Sequence, residues 1–241
     1  MRNATWSVVL PVKRLSVAKS RLRGALDGVP HEELALALAR DTVAAALACP
    51  LVAEVVVVTS DPSADAALGA LGARTVADPE GGAPDLGGPE VDAPELSGLN
   101  AAVAHGAATV GGGRPVAVLT ADLPALRPAE LAAALDAGTA SAFDTAGTKA
   151  RRWFVPDAAG TGTVLLAAAV GTALRPGFGA GSAVRHQRSG AARCGGDWPT
   201  LRRDVDTAAD LADAARLGLG RYTAALYPSG YRADMRQRSV S

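Results

Sequence analysis

Trp6-Ser7-Val8-Val9-Leu10-Pro11-Val12 is a short, nearly continuous apolar run that ends directly in Lys13 and a cationic stretch. Three further runs of the same kind follow: Glu54-Val55-Val56-Val57-Val58-Thr59, Ala73-Arg74-Thr75-Val76 and Pro115-Val116-Ala117-Val118-Leu119-Thr120. His31 to Ala48, Ser63 to Leu71, Gly98 to Ala108 and Pro128 to Ala137 separate and follow them with helical periodicity. Short β-type runs alternating with helical stretches predict an α/β fold around a parallel sheet. The first, second and fourth runs are apolar almost throughout, so both faces of the sheet are expected to be covered. Trp153-Phe154-Val155 and Thr163-Val164-Leu165-Leu166 predict a strand pair across Gly160-Thr161-Gly162, and a further helix is expected from Thr207 to Leu217.

The remaining sequence sets limits on the function. A length of 241 residues suits one domain, predicted over residues 1–226, with 227–241 as a disordered tail. Asp78 to Ser97 is crowded with Gly and Pro and holds acids without a base, so it reads as an inserted loop. With only three each of Trp, Tyr and Phe, the core has to come from Val, Leu and Ala, whose burial contributes about 25 cal/mol per Å². Lys and Arg balance Asp and Glu at 24 each, which lacks the basic excess of a nucleic-acid binder. No apolar run approaches the roughly 20 residues that span a bilayer, and the start of the chain lacks a secretory core. A soluble cytoplasmic protein without membrane or nucleic-acid partners is the expectation. Cys49 and Cys194 belong to no metal-ligand spacing, and the three histidines form no metal set.

Several constellations carry chemistry. Lys13, Lys19 and Arg21 cluster where the first strand ends, the edge at which open α/β sheets bind ligands, and their charge suits a polyphosphate. The loop is neither a Walker A sequence nor Gly-x-Gly-x-x-Gly, which disfavours a P-loop kinase and a dinucleotide-binding domain. Asp122 follows the fourth strand at the same edge, either as a turn residue or as a ligand. Asp204 and Asp206 flank Val205, and in an extended segment alternate side chains share a face. Like charges held together call for a compensating cation, and oxygen donors suit magnesium; the competing reading makes Asp206 the cap of the following helix. Gly160-Thr161-Gly162-Thr163 and Phe178-Gly179-Ala180-Gly181-Ser182 are small-residue turns that let backbone N–H groups approach an anion, and Ser182 is placed to start a helix through His186.

Taken together, this order of motifs resembles the guanylyltransferases of coenzyme F-420 biosynthesis, which act on phosphoenolpyruvate, 2-phospho-L-lactate or a close relative. The resemblance runs from Trp6 to about Thr223 through Leu10-Pro11-Val12-Lys13, Ala18-Lys19-Ser20-Arg21-Leu22, Leu99-Asn100, Ala121-Asp122-Leu123-Pro124, Gly160-Thr161-Gly162-Thr163, Phe178-Gly179, Ser182, His186, Ser189-Gly190-Ala191 and Leu201 to Asp210. It implies a Rossmann-like nucleotidyltransferase fold of three layers with a mostly parallel mixed sheet. It also implies Asp122, Asp204 and Asp206 as catalytic, magnesium-binding acids and Thr163, Gly179 and Ser182 as residues that hold a phosphorylated three-carbon acid. By analogy and charge, Lys13, Lys19 and Arg21 would face GTP, with Asn100 on the nucleotide side, and the product would pass to the next biosynthetic transferase. The long Asp78–Ser97 insertion and the stretch Ala140 to Arg152 depart from the family pattern. A nucleotidyltransferase for a sugar phosphate or a molybdopterin, and an inactive GTP-binding regulatory domain, are the competing readings.

Overall fold

A computed structural model describes residues 6–79, 98–141, 147 and 149–227. Most of the acidic insertion, part of the 140–152 stretch and the tail from 228 onward lie outside the described residues.

Seven strands form one sheet: β1 (Trp6–Pro11), β2 (Val52–Val58), β3 (Arg74–Val76), β4 (Val116–Leu119), β5 (Arg152–Pro156), β6 (Thr163–Ala168) and β7 (Ala192–Arg193). Their order is β3-β2-β1-β4-β6-β5-β7. The first four positions are parallel, β6 runs antiparallel to both β4 and β5, and β7 is parallel to β5. This is the mostly parallel mixed sheet that the motif order implied.

Alternation along the strands assigns side chains to two covered faces. Val8, Leu10, Val55 and Val57 pack with α1 (His31–Leu47), α2 (Pro62–Gly69) and α4 (Pro128–Ser141). Val9, Val56, Val58 and Val118 face the other way, onto α3 (Gly98–Ala108), Phe178 and Ala183 of α5 (Ser182–Arg188). Three layers result. Cys49 and Cys194 are buried and unpaired, and no helix among the described residues is long and apolar enough to cross a membrane.

A third apolar cluster lies beyond these layers and positions the candidate site. Leu22, Leu34, Leu38, Ala125, Val205 and Leu211 join the 3-10 turn Ser20–Leu22 and α1 to α7 (Ala208–Leu217) and to the segment that links it to α6 (Pro199–Arg202). Val205 is fully buried there, and its N–H donates to the Asp122 carbonyl at 3.0 Å.

Four local outcomes differ from the sequence reading. The fourth helix continues past Ala137 to Ser141 because Gly138 leaves room for the Trp153 ring, which would collide with a Cβ there. The cap of α7 is Thr207, in a reciprocal capping box with Asp210, which leaves Asp206 outside the helix. Two short helices escape the periodicity because tertiary carboxylates hold their first turns. Glu130 accepts from Thr200 N–H and Leu201 N–H in α6, and Asp41 accepts from Tyr222 N–H and Thr223 N–H in α8 (Arg221–Leu226). β7 has only two residues, too few for an alternation signal.

Candidate active site

At the carboxyl ends of β1 and β4 a cleft of about 410 Å³ opens, lined by Lys13, Lys19, Arg21, Thr120, Asp122 and Asp206, with Leu99 and Phe178. The strands end here because Pro11 and the polar residues after Leu119 stop the ladder, and ligands of open α/β sheets occupy this edge. Lys19 has φ 54, in the left-handed region that non-glycine residues rarely adopt. Its ammonium bridges Asp122 Oδ2 and Asp206 Oδ1. Burial disfavours its charge, but the two carboxylates outweigh that and raise its pKa above the usual lysine value.

The acids converge as the extended reading predicted. Val205 is anchored in the core, so Asp204 and Asp206 on either side of it turn away from that core. Burial, with Asp122, Asp206 and Asp157 nearby, pushes the Asp204 carboxyl up to about 7. Asp122 Oδ1 is buried without a hydrogen-bond partner. An orphaned carboxylate oxygen and a carboxylate crowded by its own kind fit a hard divalent cation with oxygen ligands. Among the described residues no three His, Cys, Asp or Glu side chains are grouped as a metal site, and the Lys19 ammonium bridges Asp122 and Asp206.

The second wall reaches the cleft through Phe178 and belongs to the two small-residue turns, which the fold brings together. Ala183 N–H donates to Thr161 O at 3.1 Å, and Thr163 Oγ1 lies 2.9 Å from His186 Nδ1. Asp157 closes the first turn by accepting from Thr161 N–H and Gly162 N–H at 3.0 and 2.8 Å. In the second turn Arg185 collects the carbonyls of Gly177, Phe178 and Ala180. A planar peptide points its N–H opposite its carbonyl, so the N–H groups of Gly179 and Gly181 face away from the guanidinium. Among the described residues neither has a hydrogen-bond partner. Gly179 sits at φ 114, where a side chain would be strained and a Cβ would stand 3.3 Å from Arg185 Nη2. Ser182 is buried as the first residue of α5.

Asn100, expected on the nucleotide side, commits its carboxamide to the second wall. Oδ1 accepts from Phe178 N–H at 2.8 Å, and Nδ2 donates to Phe178 O at 3.3 Å. Arg152, Asp157, Arg185 and His186 carry roles that the motifs did not assign. Arg185 and His186 lie three and four residues after Ser182, the helical spacing that returns a side chain to the same face. An Asp just before a glycine turn is a recognised turn-closing signal. For Arg152 no sequence signal existed. It is a buried cation at a strand start that donates to the carbonyls of Leu174 and Ser189 and to Ser189 Oγ.

A mixed sheet in this order, with acids and cations facing one another at its carboxyl edge, is the architecture of the α/β nucleotidyltransferase fold. A crystal structure described as a nucleotide-diphospho-sugar transferase from Desulfovibrio desulfuricans G20 has the same fold, with a TM-score of 0.58 over 98% of this chain and 95% of that one, at 16% identity. No protein-family model matches the chain. By its relatives, the chain belongs to the phosphoenolpyruvate guanylyltransferase family. The protein of that name from Salinispora arenicola is 58% identical over 235 residues, covering 98% of each chain. Those from Geodermatophilus obscurus and Streptomyces coelicolor are 54% and 51% identical, across 92% of this chain and 93% and 95% of their own.

Proposed function

We propose that this protein transfers GMP from GTP to the phosphate of phosphoenolpyruvate, releases pyrophosphate, and serves coenzyme F-420 biosynthesis in the cytoplasm. 2-Phospho-L-lactate is the related acceptor. The observation that carries the reading is the meeting of three carboxylates and three cations at one sheet edge, beside a turn in which the N–H groups of Gly179 and Gly181 have no partner among the described residues. The names of the relatives support the same substrates.

In the proposed reaction a phosphate oxygen of the acid attacks the α-phosphorus of GTP in line. The new P–O bond forms as the bond to the β-phosphate bridging oxygen breaks, and its electron pair leaves with pyrophosphate. The attacking oxygen is already an anion and needs no general base, so the work left to the chain is positioning and charge neutralisation. Lys13 and Arg21, with Lys19 once it leaves the acids, would offset the charge of the departing pyrophosphate. Thr163, Gly179 and Ser182 would orient the three-carbon acid. Magnesium held by Asp122, Asp204 and Asp206 would supply Lewis-acid stabilisation of charge on the reacting phosphates. The product is an activated diester, suited to hand-over to a following transferase.

The test is pyrophosphate release from GTP and magnesium with phosphoenolpyruvate, 2-phospho-L-lactate or 3-phosphoglycerate offered separately, and with ATP replacing GTP as a control. Release with GTP and phosphoenolpyruvate is expected. Silence with all three acids, despite measurable GTP binding, would point to another phosphorylated acceptor or to a regulatory GTP-binding domain.

A further inference from the structure

We propose that His186 is a positioning residue that commits the Thr163 hydroxyl to donate a hydrogen bond to an anionic oxygen of the three-carbon acid. The inference rests on the reading above, in which Thr163 faces that acid.

His186 is 1% exposed, and each ring nitrogen has a partner. Gly177 N–H lies 2.9 Å from Nε2. A backbone amide can only donate, so Nε2 must hold a lone pair and accept. In a neutral imidazole the proton then resides on Nδ1, 2.9 Å from Thr163 Oγ1. Nδ1–H donates to that oxygen, and the hydroxyl proton of Thr163 has to point elsewhere. The opposite tautomer would set two N–H groups against each other at Gly177 and would invite the hydroxyl to turn back into the ring.

Three surroundings keep this arrangement single. Burial first, then the charges of Arg185 and Arg152, lower the His186 pKa to about 4, so the ring is neutral near pH 7. Phe178 meets it edge-on at 5.1 Å and Phe154 at a tilt at 5.8 Å, which opposes a ring flip. The ring also ties the two small-residue turns together, because Gly177 belongs to the turn region before α5 and Thr163 begins β6. Carboxylate and ionised phosphate oxygens accept but do not donate, so a hydroxyl free to switch direction recognises them less well than one whose proton is already aimed outward.

Two amide variants separate this role from simple support of the turn. In His186→Asn the amide reaches only the Nδ1 position, keeping a donor for Thr163 and losing the acceptor for Gly177. In His186→Gln it reaches the Nε2 position, keeping the acceptor and losing the donor. The expected result is that His186→Gln raises KM for phosphoenolpyruvate roughly tenfold, with KM for GTP unchanged, and that His186→Asn raises it less. The reverse ranking would mean that His186 only holds the turn, and would overturn the proposal. In a Thr163→Val background His186→Gln should add little; a full additional loss would also overturn it. Thr163→Val with an unchanged KM for phosphoenolpyruvate would instead remove Thr163 from the acid site and with it the basis of both readings. Nitrogen-15 NMR of the imidazole in the unsubstituted protein reads the tautomer without any variant. Protonated Nδ1 with bare Nε2 is expected, and protonated Nε2 would overturn the proposal.

Discussion

On the wall proposed to face the nucleotide, Asp122 keeps an unpartnered oxygen, Asp204 holds a raised pKa among other carboxylates, and Lys19 bridges two acids from a left-handed backbone. On the wall proposed to take the acceptor, the side chains of Asn100, Arg152, Asp157, Arg185 and His186 each end in defined hydrogen bonds. The first wall crowds carboxylates together, which costs folding free energy. The second is preorganised by its own hydrogen bonds. The same sheet edge therefore carries one half with crowded charge and one half whose polar groups are already paired.

Substitutions can break or sharpen that division. Asp122→Asn has the largest expected effect, a fall in kcat of roughly 100-fold or more with unchanged circular dichroism. Wild-type turnover would remove the metal assignment from this acid. Arg185→Gln frees the carbonyls of the second turn and should raise KM for the three-carbon acid by roughly tenfold, with KM for GTP little changed. An equal loss for both substrates would dissolve the separation between the walls. Asn100→Ala should show the same split more weakly, at roughly fivefold; a rise confined to GTP would return Asn100 to the nucleotide wall.

The smallest expected effect is on stability, at Asp204→Asn, and its sign depends on pH. The carboxyl is raised from 3.8 to about 7 in the folded chain, so between those values the folded state keeps a proton that the unfolded state releases. Stability is consequently lost as pH rises through that window. The amide removes the penalty, and Asp204→Asn should melt a few degrees higher than wild type at pH 8 without magnesium, with little difference near pH 4. Saturating magnesium should reverse the gain at pH 8, since the variant loses a ligand. Identical melting curves at both pH values would show that Asp204 does not carry the strain.

Much of this division was legible before folding, though unevenly. The parallel strands and their helices follow from Val-rich runs and helical periodicity, because burial on two faces demands continuous apolar strands. The clustering of Asp204 with Asp206 follows from alternation around a buried Val205. What alternation could not give is the partner of each charge. Asn100 and Phe178 are 78 positions apart, and Lys19 and Asp206 are 187 apart. No local pattern links such pairs.

By itself, then, the sequence determined the α/β class, the positions of the longer helices and strands to within a few residues, and the chemical inventory of the cleft. These depend on short-range periodicity and on side-chain type, which a linear chain already carries. Only the tertiary structure decided that Asn100 braces the acceptor turn, that Arg152 and Arg185 lend their charges to backbone carbonyls, and that His186 bridges Gly177 and Thr163. A hydrogen bond is specified by the distance and direction between two groups. For residues remote in sequence, those quantities exist only after the sheet has brought the loops at its carboxyl edge together.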